Sequence, residues 1–464
     1  MGIYLVLSFF INKETIEIIY FQCKIDNMQK IKDKLKAFGR EFKRLYRLLG
    51  LHCLKLFQQH YLFIMMFLVT VVVLVAEYAV VKYPTGDVTS FIFRWINGIR
   101  DTGFNKFYEQ AADYSTGYLF LCALWSLLPP GEQVTVNGST YYLNQMIYMK
   151  SFYYVMIIVM AIGIYLIVKH LTKSSWKASL SYCVTLVLPS VFVNASIWGQ
   201  ADVLIGAGLI YTIYFILKKK DWLAMLIFGI TLGMKIHAIF IAPFLVYLIL
   251  NRRIRLWTVL SAALGLFITF LPAYMCGANI GVPFNYLGEQ TSEYINLSYG
   301  CGNMWHLVNY RGDVVNHAST IIGLSLIGVF TAGLYLRKIN LKDDYNLVKV
   351  ATLMIMVTIY FLPHMHERYF YTIDVLIVAY AFMNKKRFYL PVIMQLSSAI
   401  AYYHFLSGKY FIQNWGEDSV HICSYLNLFV LLVMCYDVYH LEHDNLFNKE
   451  IEEIDQEIES LKKK

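Results

Sequence analysis

A helix that crosses a bilayer needs about 20 mostly apolar residues, fewer where it is buried among other helices. This chain offers a long series of such stretches with short polar loops between them. About twelve can be counted, at residues 61–81, 152–168, 178–194, 201–217, 222–234, 237–250, 256–273, 319–336, 347–362, 368–383, 388–406 and 420–438. Composition excludes a soluble protein, because only 15% of residues are charged, against about 25% in soluble domains. The mean hydropathy is +0.51. The 58% hydrophobic content likewise excludes intrinsic disorder, and 8 Cys in 464 residues are too sparse for a disulfide scaffold. The expected fold class is all-α, a polytopic membrane protein with about 12 transmembrane helices.

The net charge of +9 comes from 40 Lys and Arg against 31 Asp and Glu. If residue 61 starts on the cytoplasmic side, alternate loops carry Lys169, Lys173 and Lys177, then Lys218 to Lys220, then Arg252, Arg253 and Arg255. The series continues with Arg337, Lys338, Lys342 and Lys349, then Lys385, Lys386 and Arg387, and ends in a basic tail. With the N-terminal segment included, 31 of the 40 basic residues fall on one side, as the positive-inside rule requires. Both termini are therefore expected in the cytoplasm, and the basic excess calls for no nucleic acid. The apolar run 118–128 is too short to cross and is expected to be an interfacial or re-entrant helix.

The flanks read differently. In residues 1–60, apolar Ile31, Leu35, Phe38, Phe42, Leu45 and Leu49 recur at helical spacing among Lys30, Lys32, Lys34, Lys36, Arg40, Lys43, Arg44 and Arg47. That pattern predicts a basic amphipathic helix on the anionic inner leaflet. Residues 1–27 read as sequence upstream of a start at Met28, since no charged n-region precedes Ile3–Ile11. In the tail, residues 441–464, Ile451, Ile454, Ile458 and Leu461 suit a very short coiled coil.

With the basic loops placed inside, polar residues collect at the opposite helix ends. The first outer loop carries Asp87, Arg94, Trp95, Arg100, Asp101, Glu109 and Asp113-Tyr114. Later turns carry Asn194, Trp198, Gly199, Gln200 and Asp202, then Lys235 and His237, then Glu289, Glu293, Asn303, Trp305 and His306, and finally His364-Met365-His366-Glu367-Arg368-Tyr369. A single such cluster is ordinary interfacial or solvated polarity. The turns around 194–202 and 234–238 are so short, however, that their charges must face the protein interior. Together the clusters predict a polar cavity open to the outside.

In such a cavity Asp87 can act as general base on a hydroxyl, while Lys235, Arg368 and the imidazoles offset the charge of a phosphate. No Walker-type Gly-rich loop is present, so ATP is not indicated. A divalent metal is not indicated either, since His364-x-His366-Glu367 lacks the i, i+4 spacing of a helical zinc site. Cys276 and Cys301 both fall outside and pair only if their geometry permits.

These residues carry a resemblance. The run from Asp87 through Trp95, Ile99 and Gly103-Phe104 to Asp113-Tyr114, then Trp198-Gly199-Gln200-Ala201-Asp202, Lys235-x-His237-Ala238, Asn303-x-Trp305 and Pro363-x-Met365-His366-Glu367-Arg368-Tyr369, is similar to the GT-C glycosyltransferases. More narrowly it resembles their bacterial branch related to the second mannosyltransferase of glycosylphosphatidylinositol-anchor synthesis, over residues 60–440. The resemblance implies an integral plasma membrane hexosyltransferase whose extracytoplasmic site takes mannose or another hexose from a polyprenyl-phosphate donor. It implies a glycan, glycolipid or protein acceptor, no cofactor beyond the lipid-linked donor, and Asp87 as the inverting base. Asp113, Tyr114, Trp198, Gln200, Asp202, Lys235, His237, Asn303, Trp305, His364, His366, Glu367, Arg368 and Tyr369 then bind substrate, with Lys235, His366 and Arg368 on the phosphate. The chain departs from its relatives at Ser115-Thr116-Gly117, where prolines are usual, and at His237, where Gln is usual.

A transporter or flippase of lipid-linked saccharides is the competing reading. Transporters show repeated halves and midplane ionisable sites, whereas here no repeat is visible and the charges sit at helix ends. A polysaccharide polymerase or ligase is separated less sharply, and a scaffold does not account for five inward-facing polar clusters.

Overall fold

A computed structural model describes residues 13–136, 139–281, 284, 296–308, 313–413, 416 and 418–441. The expected tail coiled coil, Glu289 and Glu293 lie outside the described residues. The chain divides into two compact units, Met1–Met65 and Met66–Lys464.

Helix α1 runs over Lys13–Ala79. In the first unit its Phe38, Phe42, Leu45 and Leu49 are exposed, Phe38 by 70%, and the Phe38 and Phe42 rings stack at 6.4 Å. Four of the apolar residues of the amphipathic pattern thus lie exposed on a helix.

The second unit is almost entirely helical. After α1 come α2 (Phe93–Thr102), α3 (Thr116–Ser126), a hairpin of β1 (Gln133–Val136) and β2 (Ser139–Tyr142), α4 (Leu143–Thr172) and α5 (Ser175–Leu186). A short helix Pro189–Phe192 passes into a π-helical turn, Val193–Trp198. Then follow α6 (Asp202–Leu217), α7 (Asp221–Leu232), α8 (Ala242–Leu250), α9 (Val259–Met275), β3 (Ser298–Tyr299), α10 (Asp313–Leu336) and α11 (Asp344–Phe361). The described chain closes with β4 (Met365–His366), α12 (Tyr371–Met383), α13 (Tyr389–Ser407) and α14 (Asp418–Tyr439).

Each apolar stretch expected from the sequence is helical. Among the described residues six helices are long and apolar enough to cross a membrane: Gln59–Ala79, Leu143–Thr172, Leu256–Met275, Val315–Leu336, Asp344–Phe361 and Ser419–Tyr439. Ser175–Leu186 with Pro189–Trp198 makes a seventh if the pair, bent by 47°, counts as one span. The bend has a local cause. Pro189 lacks an N–H and holds Leu188 in an extended conformation, with ψ at 127°. Shorter apolar helices of 10–17 residues stand beside these, and α3 is one of them.

Local chemistry sets the boundaries. Ser174 accepts from the Lys177 N–H to start α5, Asp343 accepts from the Tyr345 N–H to start α11, and Gly408 ends α13 in the left-handed region. The α7–α9 crossing depends on small residues. A Cβ at Gly229 would collide with the Ala262 carbonyl and one at Gly265 with the Leu226 carbonyl, so the two backbones touch as small-residue membrane interfaces do. The core lies around α6, α11 and α12, whose residues are nearly all buried.

Candidate active site

The segment that follows α1 holds Asp87. Asp87 precedes a π-helical turn, Val88–Ile92, without capping it. Its carboxylate is engaged elsewhere. Oδ2 accepts from the indole Nε1 of Trp198 at 3.0 Å and from Nε2 of Gln200 at 2.7 Å. Among the described residues none bonds Oδ1. The loop is secured a second time, because Thr85 Oγ1 donates to the Trp198 carbonyl at 2.6 Å.

The donors come from the π-helical turn Val193–Trp198. Such turns insert an extra residue into a helix and recur at functional sites. This one ends on Gly199 at φ +80°, a conformation glycine adopts without penalty. A Cβ there would lie 2.7 Å from Val88 Cγ2, so glycine is also what lets the turn approach the Asp87 loop. Trp198 is fixed against Phe405, stacked at 4.7 Å, and against Tyr402, edge-on at 5.3 Å.

Asp202, at the first turn of α6, is the centre of a buried polar cluster. Lys235 Nζ donates to its Oδ1 at 2.9 Å, Asn194 Nδ2 donates to Oδ2 at 3.0 Å, and Arg368 Nε lies 3.5 Å from Oδ2. His237 Nε2 lies 3.6 Å from Oδ1. Lys235 also donates to Tyr114 Oη at 3.0 Å, and Tyr114 donates to Gln200 Oε1 at 2.9 Å. A continuous chain of hydrogen bonds therefore runs from Asp202 through Lys235, Tyr114 and Gln200 to Asp87.

The strip 364–369 supplies the second cation. Ser298 and Tyr299 pair in parallel with Met365 and His366, which lays Tyr299 flat on the His366 ring at 4.9 Å. Arg368 Nη1 donates to Glu367 Oε1 at 2.7 Å and its guanidinium sits 5.3 Å over the Trp198 ring. Burial resists charge on Glu367, yet Arg368 and His366 together hold its carboxyl below the ordinary range. Burial, reinforced by Arg368 and Lys235, pushes the His366 imidazole down. Tyr369 stacks on His237 at 4.9 Å and meets His366 edge-on at 5.2 Å.

Beside this cluster opens a cavity of about 200 Å³ lined by Asp87, Asp113, Gln200, His366 and Arg368 and by Phe91, Ile92, Trp95, Tyr114 and Phe405. Burial pushes the Asp113 carboxyl up, against the pull of Arg94, His366 and Lys235. One wall is aromatic, with Trp95 and Tyr114 5.3 Å apart. An aromatic wall facing a few convergent polar groups suits a ligand that is itself part apolar and part hydroxylated.

Three residues expected at the site lie elsewhere. Asn303 Nδ2 donates to the Leu362 carbonyl at 2.8 Å and Trp305 Nε1 to the Phe361 carbonyl at 2.7 Å, so both satisfy the open C-terminal end of α11. His364, at φ +62°, bonds the Asn296 carbonyl through Nδ1 at 2.8 Å. All three hold up the strip that presents His366 and Arg368. Conversely, Phe91 and Phe405 line the cavity although the sequence does not mark them. Cys276 and Cys301 are both free, so the pairing is not made. Among the described residues no group of three or more His, Cys, Asp or Glu is arranged to hold a metal ion.

The model of Glycosyltransferase family 87 matches residues 114–363. The chain belongs to this family. The match takes in Tyr114, the Trp198–Asp202 turn, Lys235 and His237, whereas Asp87, Asp113 and the 364–369 strip lie beyond it. It supports a membrane glycosyltransferase and does not extend to the narrower likeness to the second mannosyltransferase. A search of curated proteins returns no match. As a family 87 glycosyltransferase the chain requires a sugar donor and an acceptor.

Proposed function

We propose that this family 87 enzyme has a GT-C architecture and transfers a hexose, mannose or another, from a polyprenyl-phosphate donor to an acceptor hydroxyl at the outer face of the plasma membrane. The observation that carries this reading is Asp87. One carboxylate oxygen is fixed by two N–H donors, Trp198 Nε1 and Gln200 Nε2, and the residue lines a cavity shared with a guanidinium. A base must be oriented and yet keep a lone pair for the incoming proton, and Oδ1 meets both needs.

In the step so assigned, Asp87 Oδ1 takes the proton from the acceptor hydroxyl. The acceptor oxygen bonds to the anomeric carbon, and the bond from that carbon to the phosphate oxygen breaks with inversion. The electron pair leaves on the lipid phosphate. Arg368 lines the cavity and offsets that charge. Lys235 acts through Asp202 and Tyr114, and no metal or other cofactor is required. The shorter apolar helices other than α3, together with α13, complete about twelve crossings, with both termini cytoplasmic and the acceptor a glycan, glycolipid or protein.

Purified protein given a radiolabelled polyprenyl-phosphate hexose and an acceptor panel is expected to transfer label, and Asp87→Asn to slow transfer by about 100-fold or more while expression is unchanged. Movement of intact lipid-linked sugar across proteoliposomes without transfer would replace this reading with that of a flippase. A Cys placed at Gly86 is expected to react with an impermeant thiol reagent from outside. Reaction only after permeabilisation would invert the orientation.

A further inference from the structure

One fully buried cation has no part in the site as described. Lys150 projects from α4 at 0% exposure. Its Nζ donates to the Tyr83 carbonyl at 2.8 Å and reaches the Ile197 carbonyl at 3.4 Å. Among the described residues no carboxylate lies within the 4.0 Å of an ion pair. Burying an ammonium against carbonyl oxygens alone costs free energy that an apolar side chain would not. An ionisable residue inside a membrane helix is by default tied to function.

The two carbonyls identify the role. Tyr83 opens the segment that carries Asp87, four residues on, and Ile197 immediately precedes Trp198, which with Gln200 holds Asp87 Oδ2. Lys150 also lies beneath the turn between those donors, since a Cβ at Gly199 would fall 3.5 Å from its Cε. The Asp87 loop and the Trp198 turn come from distant parts of the chain, and α4 touches both through one ammonium. The same turn is tied to the end of α1 by Ser196 Oγ, which donates to Glu77 Oε1 at 3.2 Å.

We infer that Lys150 is a positioning residue for Asp87, its ammonium clamping the Tyr83 and Ile197 carbonyls so that the carboxylate and its two N–H donors keep register. This rests on the reading of Asp87 as the base. The three N–H donors of one ammonium are enough to hold two carbonyls at once. Misplacement of a catalytic group by about 1 Å costs on the order of 100-fold in rate.

The test uses Lys150→Ala in the full-length protein. Transfer is expected to fall about 10- to 100-fold in kcat, with KM for the lipid donor changed less than about threefold. n-Propylamine supplies the atoms the substitution removes and is expected to restore at least a fifth of the lost rate, whereas n-propanol is not. A second readout needs no activity. With 5-fluorotryptophan incorporated, the Trp198 resonance, assigned by its loss in Trp198→Phe, is expected to shift in Lys150→Ala and return with propylamine. Tyr182→Phe, which loses a hydroxyl contact with Thr70, serves as a destabilisation control and is expected to leave that resonance unmoved. A normal kcat with an unshifted resonance in Lys150→Ala overturns the inference while Asp87 stands. A rate loss that propylamine does not rescue, with the resonance unmoved, overturns it as well. Full activity in Asp87→Asn overturns the reading of the base itself, whatever Lys150→Ala does.

Discussion

Lys235→Met removes the cation from the middle of the buried cluster and leaves the Asp202 carboxylate behind. Lys235 is 4% exposed and Asp202 2%, so water cannot take the place of the ammonium. Removing one partner of a buried ion pair typically costs about 3–5 kcal/mol, most of it the penalty of an uncompensated charge. Arg368 at 3.5 Å and His237 at 3.6 Å stay beside Asp202, which places the loss at the lower end, about 3 kcal/mol. The lost donation to Tyr114 Oη, at 3.0 Å, adds about 1 kcal/mol. Chemical unfolding of the full-length protein in one detergent, followed by Trp fluorescence, reads this directly. Because the charges are coupled, Lys235→Met with Asp202→Asn is expected to cost less than the two single changes added, by about 0.5–3 kcal/mol. A single-variant loss under about 1 kcal/mol, or strict additivity, would refute the picture of one buried unit.

Two further outcomes follow from the same geometry. Gly199→Ala forces a side chain into the left-handed region, for about 1–2 kcal/mol, and drives its Cβ to 2.7 Å from Val88 Cγ2; unfolding is expected to register the loss and kcat to fall more than KM rises. Burial, with His421 and His404 nearby, pushes the His306 imidazole down to about 4. Between there and an unfolded value of about 6.5 the unfolded chain binds the extra proton, so stability is expected to fall on acidifying from pH 7 to 5. His306→Gln is expected to flatten that slope in part, because His366 shifts in the same direction; an unchanged slope in His306→Gln would refute the assignment.

The helices were legible because lipid and protein interior demand the same thing of a stretch of chain, an apolar surface, and apolar runs stand out against short basic loops. Asp87, Gln200, Asp202, Lys235 and Arg368 were legible for the complementary reason that polar groups in such a frame need a partner. Which partner was not legible. Asn303 and Trp305 look like site residues, yet they bond the orphan carbonyls at the end of α11, because a helix end and a ligand ask for the same donors. Phe91 and Phe405 carry no mark among 31 Phe and 37 Tyr, since only the fold decides which aromatic faces a cavity. Lys150 was likewise hidden, because its partners are carbonyls, which every residue has.

The most direct test of the account is the rate of the chemical step in Asp87→Asn, measured by rapid quench with enzyme in excess over a radiolabelled polyprenyl-phosphate hexose. The amide keeps the size of the side chain and an oxygen for Trp198 Nε1 and Gln200 Nε2, but it cannot take up the acceptor's proton. Loss of a general base typically costs about 10²- to 10⁴-fold, and a loss in that range, with donor binding little changed, is expected. A chemical step within about threefold of the unsubstituted enzyme would contradict it.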